Sequence, residues 1–163
     1  MKMKAVFTGT FDPITNGHVD IIKRAATMFD ELHVLLCINS EKKGMFVKEQ
    51  RTEMVKRACQ GLDNVKVAVC EGLLTEYTEK NCISVIVRGV RDGNDLSYEA
   101  SLATINRGLR NHPETVFLPS KPEYTHISST YARDMIKYGE DLTDALPLSV
   151  IEYLKEIGMA GNH

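Results

Sequence analysis

Short apolar runs alternate with amphipathic stretches along the whole chain. Five runs rich in Val, Ile and Leu have the length and composition of strands that are buried on both faces of a parallel sheet. These runs cover residues 4–8, 32–38, 65–70, 83–87 and 115–118. The pattern therefore predicts five parallel strands, connected by the segments between them.

Several of those segments carry apolar residues at helical spacing. Three predicted helices have an apolar face, formed by Val19, Ile22, Ala26 and Phe29, by Met54, Val55, Ala58 and Cys59, and by Tyr98, Leu102, Ile105 and Leu109. Asp95 is a candidate N-cap for the third helix, and Ser128 or Ser129 is suited to begin a fourth. Strands and helices thus follow one another in turn.

This alternation is typical of an α/β fold with a doubly wound, Rossmann-like sheet and helices on both faces. A chain of 163 residues has the usual length of one domain, which we expect to span residues 1–163. We also expect a C-terminal helix over about residues 147–157 and fraying over residues 159–163. In such sheets ligands bind beyond the C-terminal strand ends, so functional residues are sought in the loops there.

The composition argues against a nucleic-acid-binding protein and against a membrane protein. The apolar fraction of 43% and the formal net charge of −2 are ordinary for a globular protein and argue against a general nucleic-acid binder. No run has the length of a membrane span, about 18 apolar residues, and no signal peptide is evident. The four cysteines form no Cys-x-x-Cys pair, which favours buried, reduced thiols. We therefore expect a cytoplasmic protein that binds neither nucleic acid nor membrane.

Four loops at predicted strand ends carry residues suited to anions. Residues 9–18 end with His18 on the first turn of a helix, where free N–H groups favour phosphate. Residues 40–44 hold a lysine pair, residues 88–92 two arginines, and residues 124–133 three successive hydroxyls and an arginine. Each has an ordinary alternative, respectively a tight turn, a solvated loop, surface ion pairs and helix capping. Their coincidence predicts a polyphosphate cleft with little nucleophile chemistry by the protein.

Three sequences in these loops, GTFDPITNGH at 9–18, RGVR at 88–91 and ISST at 127–130, together resemble the nucleotidyltransferase superfamily. The long first loop, together with Lys42 and the Tyr98-Glu99 pair, is most similar to the bacterial phosphopantetheine adenylyltransferase family. The resemblance implies that the phosphate of 4′-phosphopantetheine attacks the α-phosphate of ATP. Pyrophosphate leaves and dephospho-coenzyme A forms, which is the penultimate step of coenzyme A biosynthesis.

The resemblance covers residues 4–157 and has further implications. It implies that Mg²⁺ is carried by the ATP phosphates, with no metal site formed by the protein. By the same resemblance we expect a homohexamer, with coenzyme A as a feedback inhibitor. Two alternatives stay open, a nucleotidyltransferase with another acceptor and a non-catalytic nucleotide-binding module on the same scaffold.

The same resemblance gives individual residues their roles. The catalytic residues are Thr10, His18, Lys42 and Arg91. The ATP-binding residues are Thr10, Phe11, His18, Gly89, Val90, Arg91, Glu99, Tyr124, Thr125, His126, Ile127, Ser128, Ser129 and Thr130. The acceptor-binding residues are Thr10, Lys42, Leu74 and Arg88. The chain departs from the family pattern at Thr8, Gly93, Asn94, His126 and Thr130.

Overall fold

The computed structural model describes residues 2–38, 43–108 and 111–160. These residues form a five-stranded, all-parallel sheet with the strand order β3-β2-β1-β4-β5. The strands are β1 (Lys4–Gly9), β2 (Glu31–Cys37), β3 (Val65–Cys70), β4 (Val85–Val90) and β5 (Glu114–Pro119). The predicted α/β fold with a doubly wound parallel sheet is confirmed. The strand order reverses between β1 and β4, which is where such sheets bind ligands.

Six helices and a short 3₁₀ turn connect or follow the strands within the described residues. The helices are α1 (Asn16–Met28), α2 (Lys48–Ala58), α3 (Leu74–Lys80), α4 (Gly93–Arg107), α5 (Ser129–Tyr138) and α6 (Leu148–Glu156), and the turn spans Pro122–Tyr124. Helix α3 was not among the predicted helices, because its seven residues are too few to show a periodic apolar face.

The structure corrects two details next to the predicted site. Asp92, not Asp95, caps α4, since the Asp92 carboxylate accepts a hydrogen bond from the backbone N–H of Asp95. Strand β4 runs to Val90, so Arg88 and Gly89 lie in the strand and not in the loop after it. The second correction places Arg88 in the sheet itself and leaves Arg91 directly after the strand end.

The sheet separates two groups of buried side chains, as the strand alternation requires. The larger group includes Phe7 and Val34 and extends to α1, α2, α5 and α6. The smaller group includes Val6 and Ile86, with Tyr77 of α3 packed against it. Helices therefore cover both faces of the sheet.

Helix α4 does not bury the predicted apolar face. Tyr98 and Ile105 are 64% and 63% exposed, whereas Glu99 is only 7% exposed. Glu99 is buried because it pairs with a strand arginine, and this pairing turns the apolar face outward. Leu109, assigned to the same face, lies outside the described residues.

The expectation of buried thiols holds for Cys59 and Cys70 but is wrong for Cys82, which is exposed. Cys82 lies in the tight connection between α3 and β4, with a left-handed φ of 54°. At the C-terminus, the backbone N–H groups of Met159 and Ala160 both donate to the carbonyl oxygen of Leu154. In the described part of the chain, the helices are too short or too polar to cross a membrane.

Candidate active site

The loop between β1 and α1 begins with a close approach of backbone to an aromatic ring. A Cβ atom at Gly9 would lie 2.8 Å from the Phe11 ring, so only glycine fits there without a shift. The Phe11 ring is buried and meets the His18 ring edge-on, with 5.2 Å between centroids. The loop therefore packs an aromatic side chain beneath His18, the residue that the sequence singles out.

A capping box fixes His18 on the first turn of α1. The Thr15 backbone N–H donates to His18 Nδ1 at 3.0 Å, and the His18 backbone N–H donates to Thr15 Oγ1 at 3.3 Å. Since Nδ1 accepts a hydrogen bond from the backbone N–H of Thr15, a neutral His18 ring carries its proton on Nε2. The local sequence thus sets both the orientation of the ring and its tautomer.

The charge state of His18 follows from its surroundings. Burial, together with the positive charges of Arg91 and Arg88, lowers the pKa of His18 to about 4. A ring with this pKa is neutral near pH 7. Its Nε2–H is then a hydrogen-bond donor and not a full positive charge.

A cleft of about 480 Å³ opens at the C-terminal ends of the strands beside His18. Ten of the predicted site residues line it, namely Thr10, His18, Arg88, Gly89, Arg91, Glu99, Tyr124, Ile127, Ser128 and Ser129. They come from the loop between β1 and α1, from α1, β4, the residue after β4 and α4, and from the segment that leads into and begins α5. The structure therefore brings together residues from three of the four predicted anion loops.

Two arginines of the cleft are paired with carboxylates. Arg88 Nε and Nη2 donate to the two oxygens of Glu99, each at 2.7 Å, and Arg88 Nη1 donates to Thr8 Oγ1 at 2.7 Å. Arg91 Nε lies 3.7 Å from Asp95 Oδ2, and the same oxygen accepts from the Arg91 backbone N–H. A phosphate entering the cleft would meet one tightly held guanidinium and one that is more loosely paired.

A second cavity of about 170 Å³ adjoins the cleft on the α3 and α4 side of the sheet. Leu74, Ile86 and Leu102 form much of its wall, and Thr8, Arg88 and Glu99 line both this cavity and the cleft. The smaller cavity is therefore mainly apolar, and the Arg88 guanidinium is at its junction with the larger, more polar one.

The start of α5 supplies hydroxyl and backbone groups to the cleft. Ser128 Oγ accepts from the Tyr131 backbone N–H at 3.0 Å and caps the helix. Ser129 Oγ donates to the carbonyl oxygen of Pro13 at 2.8 Å, which ties the helix to the first loop. Two successive serines thus place the N-terminus of α5 beside the N-terminus of α1.

The remaining predicted residues lie elsewhere. Five ATP-binding predictions do not line the cleft, namely Phe11, Val90, Thr125, His126 and Thr130. His126 pairs with Asp144 at 3.0 Å. Leu74 lines the smaller cavity, and Lys42 lies outside the described residues.

Asp12 is a structural residue of the site that the sequence suggested only as a turn former. Its buried carboxylate accepts from the backbone N–H groups of Met45 and Phe46 at 2.8 and 2.9 Å. Its carbonyl oxygen accepts from Arg133 at 2.8 Å. The partners of Asp12 are distant in sequence, so residue spacing within the loop does not predict these contacts.

Comparisons with known proteins agree with this geometry. A family model described as cytidylyltransferase-like matches residues 6–135. The chain is 39% identical over 155 residues to the phosphopantetheine adenylyltransferase of Finegoldia magna, which covers 95% of this chain and 96% of that one. It is 45% identical over 151 residues to the enzyme of the same name from Streptococcus gordonii, with 92% of both chains covered.

A solved structure shows the same fold. It is described as a candidate nicotinate-nucleotide adenylyltransferase from Vibrio parahaemolyticus and superposes with a TM-score of 0.72 at 22% identity. The match covers 98% of this chain and 95% of that chain, so the fold is shared over nearly the whole length. The relatives at 39% and 45% identity identify the family more narrowly than the shared fold does. They show that the chain belongs to the phosphopantetheine adenylyltransferase family, enzymes of the nucleotidyltransferase superfamily.

Proposed function

We propose that the chain transfers the adenylyl group of ATP to 4′-phosphopantetheine and so forms dephospho-coenzyme A and pyrophosphate. An oxygen of the acceptor phosphate forms a bond to the α-phosphorus of ATP, while the bond from that phosphorus to the bridging β-phosphate oxygen breaks. The acceptor phosphate is already an anion, so the reaction needs no general base. Catalysis then depends on positioning and on stabilising negative charge.

The two adjoining cavities are the observation that carries this proposal. The larger cleft has the donors that a triphosphate needs, and the smaller cavity has the apolar walls that suit the pantetheine arm. Because Arg88 lines both cavities, an acceptor whose arm fills the smaller one has its phosphate at the guanidinium. Leu74 then lies against the arm, and we assign Lys42 and Thr10 to the same phosphate.

His18 would stabilise the transition state as a neutral donor. Its Nε2–H is aimed by the bond from the Thr15 backbone to Nδ1, and its low pKa keeps it uncharged. A donor fixed in advance at the α-phosphate stabilises the charge that develops there without reorganisation. Thr10 and Arg91 would act on the same phosphate.

The N-termini of α1 and α5 would hold the rest of ATP. Free backbone N–H groups at a helix N-terminus favour phosphate, and Ser128 and Ser129 lie at the second of these termini. We therefore propose that residues 89–91 and 124–130, with Phe11 and Glu99, form the ATP site. Thr125, His126 and Thr130 would border the adenine side of that site.

Mg²⁺ would enter with ATP and neutralise charge on its phosphates. The carboxylates that line the cleft, Asp95 and Glu99, are each paired with an arginine. The described residues also contain no group of three or more His, Cys, Asp or Glu that could hold a metal ion. The ligands of Mg²⁺ would accordingly be phosphate oxygens and water.

We extend the proposal to partners. Coenzyme A contains both the pantetheine arm and an adenine nucleotide, so it would occupy both cavities and act as a feedback inhibitor. The exposed apolar residues Tyr98 and Ile105 of α4 support assembly of the chain into a homohexamer. The cytoplasm, where both substrates occur, is the location we propose.

Pyrophosphate release tests the proposed function. The purified chain is given ATP and Mg²⁺ with 4′-phosphopantetheine, and in parallel with nicotinamide mononucleotide as acceptor or cytidine triphosphate as donor. Release that requires ATP and 4′-phosphopantetheine, with dephospho-coenzyme A as product, supports the proposal. Release only with another pair of substrates would contradict the proposed acceptor or the proposed donor. If folded protein that binds ATP released no pyrophosphate with any pair, the proposed transferase activity would be wrong.

A further inference from the structure

The guanidinium of Arg88 is held by two different elements in the wall between the cavities. Glu99 of α4 accepts from Nε and Nη2, each at 2.7 Å. Thr8 of β1 accepts from Nη1, at 2.7 Å with Oγ1 and at 3.3 Å with the carbonyl oxygen. A guanidinium has five N–H donors, so these contacts leave at least one for a ligand.

The two partners constrain Arg88 in different ways. The paired bonds to Glu99 set the plane of the guanidinium, as bidentate contacts do. The bonds to Glu99 do not anchor the guanidinium to the backbone, because both partners are side chains. The arginine and the carboxylate can therefore shift together. The Thr8 contact ties the third nitrogen to β1, a central strand paired on both sides.

We infer that the Thr8 hydroxyl is a positioning group for Arg88, which fixes the guanidinium in the orientation that meets the acceptor phosphate. This inference rests on the proposed function, in which Arg88 binds that phosphate. The hydroxyl is the part that matters, because the Thr8 carbonyl contact is longer and is present for any residue at this position.

The geometry also sets which step the hydroxyl affects. Thr8 and Arg88 line both cavities, whereas His18 lines only the larger cleft. In the proposed function Arg88 binds the acceptor phosphate and His18 acts on ATP, so losing the Thr8 hydroxyl should weaken use of the acceptor and leave the donor side unchanged. The effect should also depend on the acceptor's phosphate, since an arm without phosphate does not use Arg88.

Thr8→Val tests this inference, because valine keeps the branched shape and replaces only the hydroxyl, by a methyl group. We expect KM for 4′-phosphopantetheine to rise about tenfold, with KM for ATP and kcat within about twofold of wild type. Thr8→Ser should restore the wild-type KM. Thr27→Val is the matched control, since the Thr27 hydroxyl bonds only a carbonyl of its own helix and is exposed. Thr8→Ala replaces Thr8→Val if the valine variant fails to fold.

Pantetheine, the acceptor without its phosphate, serves as a competitive inhibitor in the same assays. Its inhibition constant should be the same for wild type and Thr8→Val. If Thr8→Val weakens the binding of pantetheine and of 4′-phosphopantetheine equally, the substitution has distorted the cavity and the inference is wrong. An unchanged KM for 4′-phosphopantetheine would overturn it as well.

A second background separates positioning from direct contact with substrate. In Arg88→Lys, which keeps the charge but lacks the fork of donors, Thr8→Val should add less than about twofold to KM. A full effect in that background would mean that the hydroxyl acts on the substrate itself, against the inference. Wild-type protein that releases no pyrophosphate with 4′-phosphopantetheine refutes the proposed function instead, so the two failures are distinguishable.

Discussion

At the scale of single residues, His18 owes its chemistry to three neighbours. The Thr15 backbone fixes the tautomer, and Arg88 and Arg91 add to the effect of burial on its pKa. An imidazolium would add positive charge to a cleft that already holds two arginines. The site instead offers a neutral donor, which keeps its hydrogen-bonding role over the physiological pH range.

Removing the imidazole should therefore slow the chemical step. We expect His18→Ala to lower kcat by about 10²–10³, with the affinity for ATP largely retained, as for loss of a donor that acts in the transition state. Steady-state kinetics and ATP titration measure the two quantities. His112→Ala, at an exposed histidine outside the cleft, is the matched control and should keep the wild-type kcat. If His18→Ala kept the wild-type kcat, the proposed role of His18 in the transition state would be wrong.

The low pKa of His18 is directly measurable in the free protein. Because the pKa is about 4 and not 6.5, the ring resonances of His18 should not titrate from about pH 8 to about pH 5.5. Nuclear magnetic resonance of the imidazole carbons follows this, with His18→Ala to assign the signal. A titration midpoint near the ordinary histidine value would show that the ring is charged in mildly acidic solution.

At the scale of elements, the N-termini of α1 and α5 meet the C-terminal ends of β1 and β4 at the site. The cap of α5 connects stability with function, since Ser128 both caps the helix and lines the cleft. The Ser129 bond to Pro13 holds this helix against the first loop. Ser129 thus helps to fix the position of the α5 N-terminus relative to the loop that leads into α1.

Loss of the α5 cap should be visible in stability. Ser128→Ala should lower the free energy of unfolding by about 1 kcal/mol, because the Tyr131 N–H loses its acceptor. Chemical denaturation measures this. Ser101→Ala is the matched control, since Ser101 is an exposed residue inside α4 where alanine is favoured. Equal stability of wild type and Ser128→Ala would mean that the cap contributes nothing.

The sequence predicts the elements near the site more reliably than their edges. Apolar runs predicted all five strands, and the loop from Gly9 to His18 was correctly placed between strand and helix. The cap at Asp92 and the end of β4 at Val90 were missed, because either choice fits the same local pattern. The short helix α3 left no periodic signal at all.

Contacts between distant residues explain what the sequence could not predict in the site. The Arg88 and Glu99 pair joins β4 to α4, and the Asp12 contacts reach Met45 and Phe46. Neither follows from residue spacing. The exposure of Tyr98 and Ile105 is a consequence of the first pair, since burying Glu99 fixes which side of α4 faces the sheet.

At the scale of the whole molecule, the apolar residues Tyr98 and Ile105 remain uncovered in a single chain. They are seven positions apart on α4 and therefore share one face. Exposed apolar residues that share one helix face are typical of an interface. This is the surface on which the proposed homohexamer depends.

Placing a charge on that face should change the assembly. We expect Ile105→Arg to reduce the solution mass to that of a smaller species, because a buried, unpaired charge opposes association. Light scattering coupled to gel filtration measures the mass. Leu148→Arg, at an exposed leucine on α6, is the matched control and should keep the wild-type mass. A monomeric wild-type protein would contradict the hexamer, and an unchanged mass in Ile105→Arg would place the interface elsewhere.

The shared wall of the two cavities also bears on inhibitor design. A compound that fills only the 170 Å³ cavity has little volume in which to make contacts, and one that fills only the cleft competes with abundant cellular nucleotides. Joining the two fragments makes the second binding event intramolecular, which raises affinity without new contacts when the linker fits. The linker here has to pass Arg88, which lines both cavities. An anionic group at that point of the linker would pair with the guanidinium while the linker changes direction.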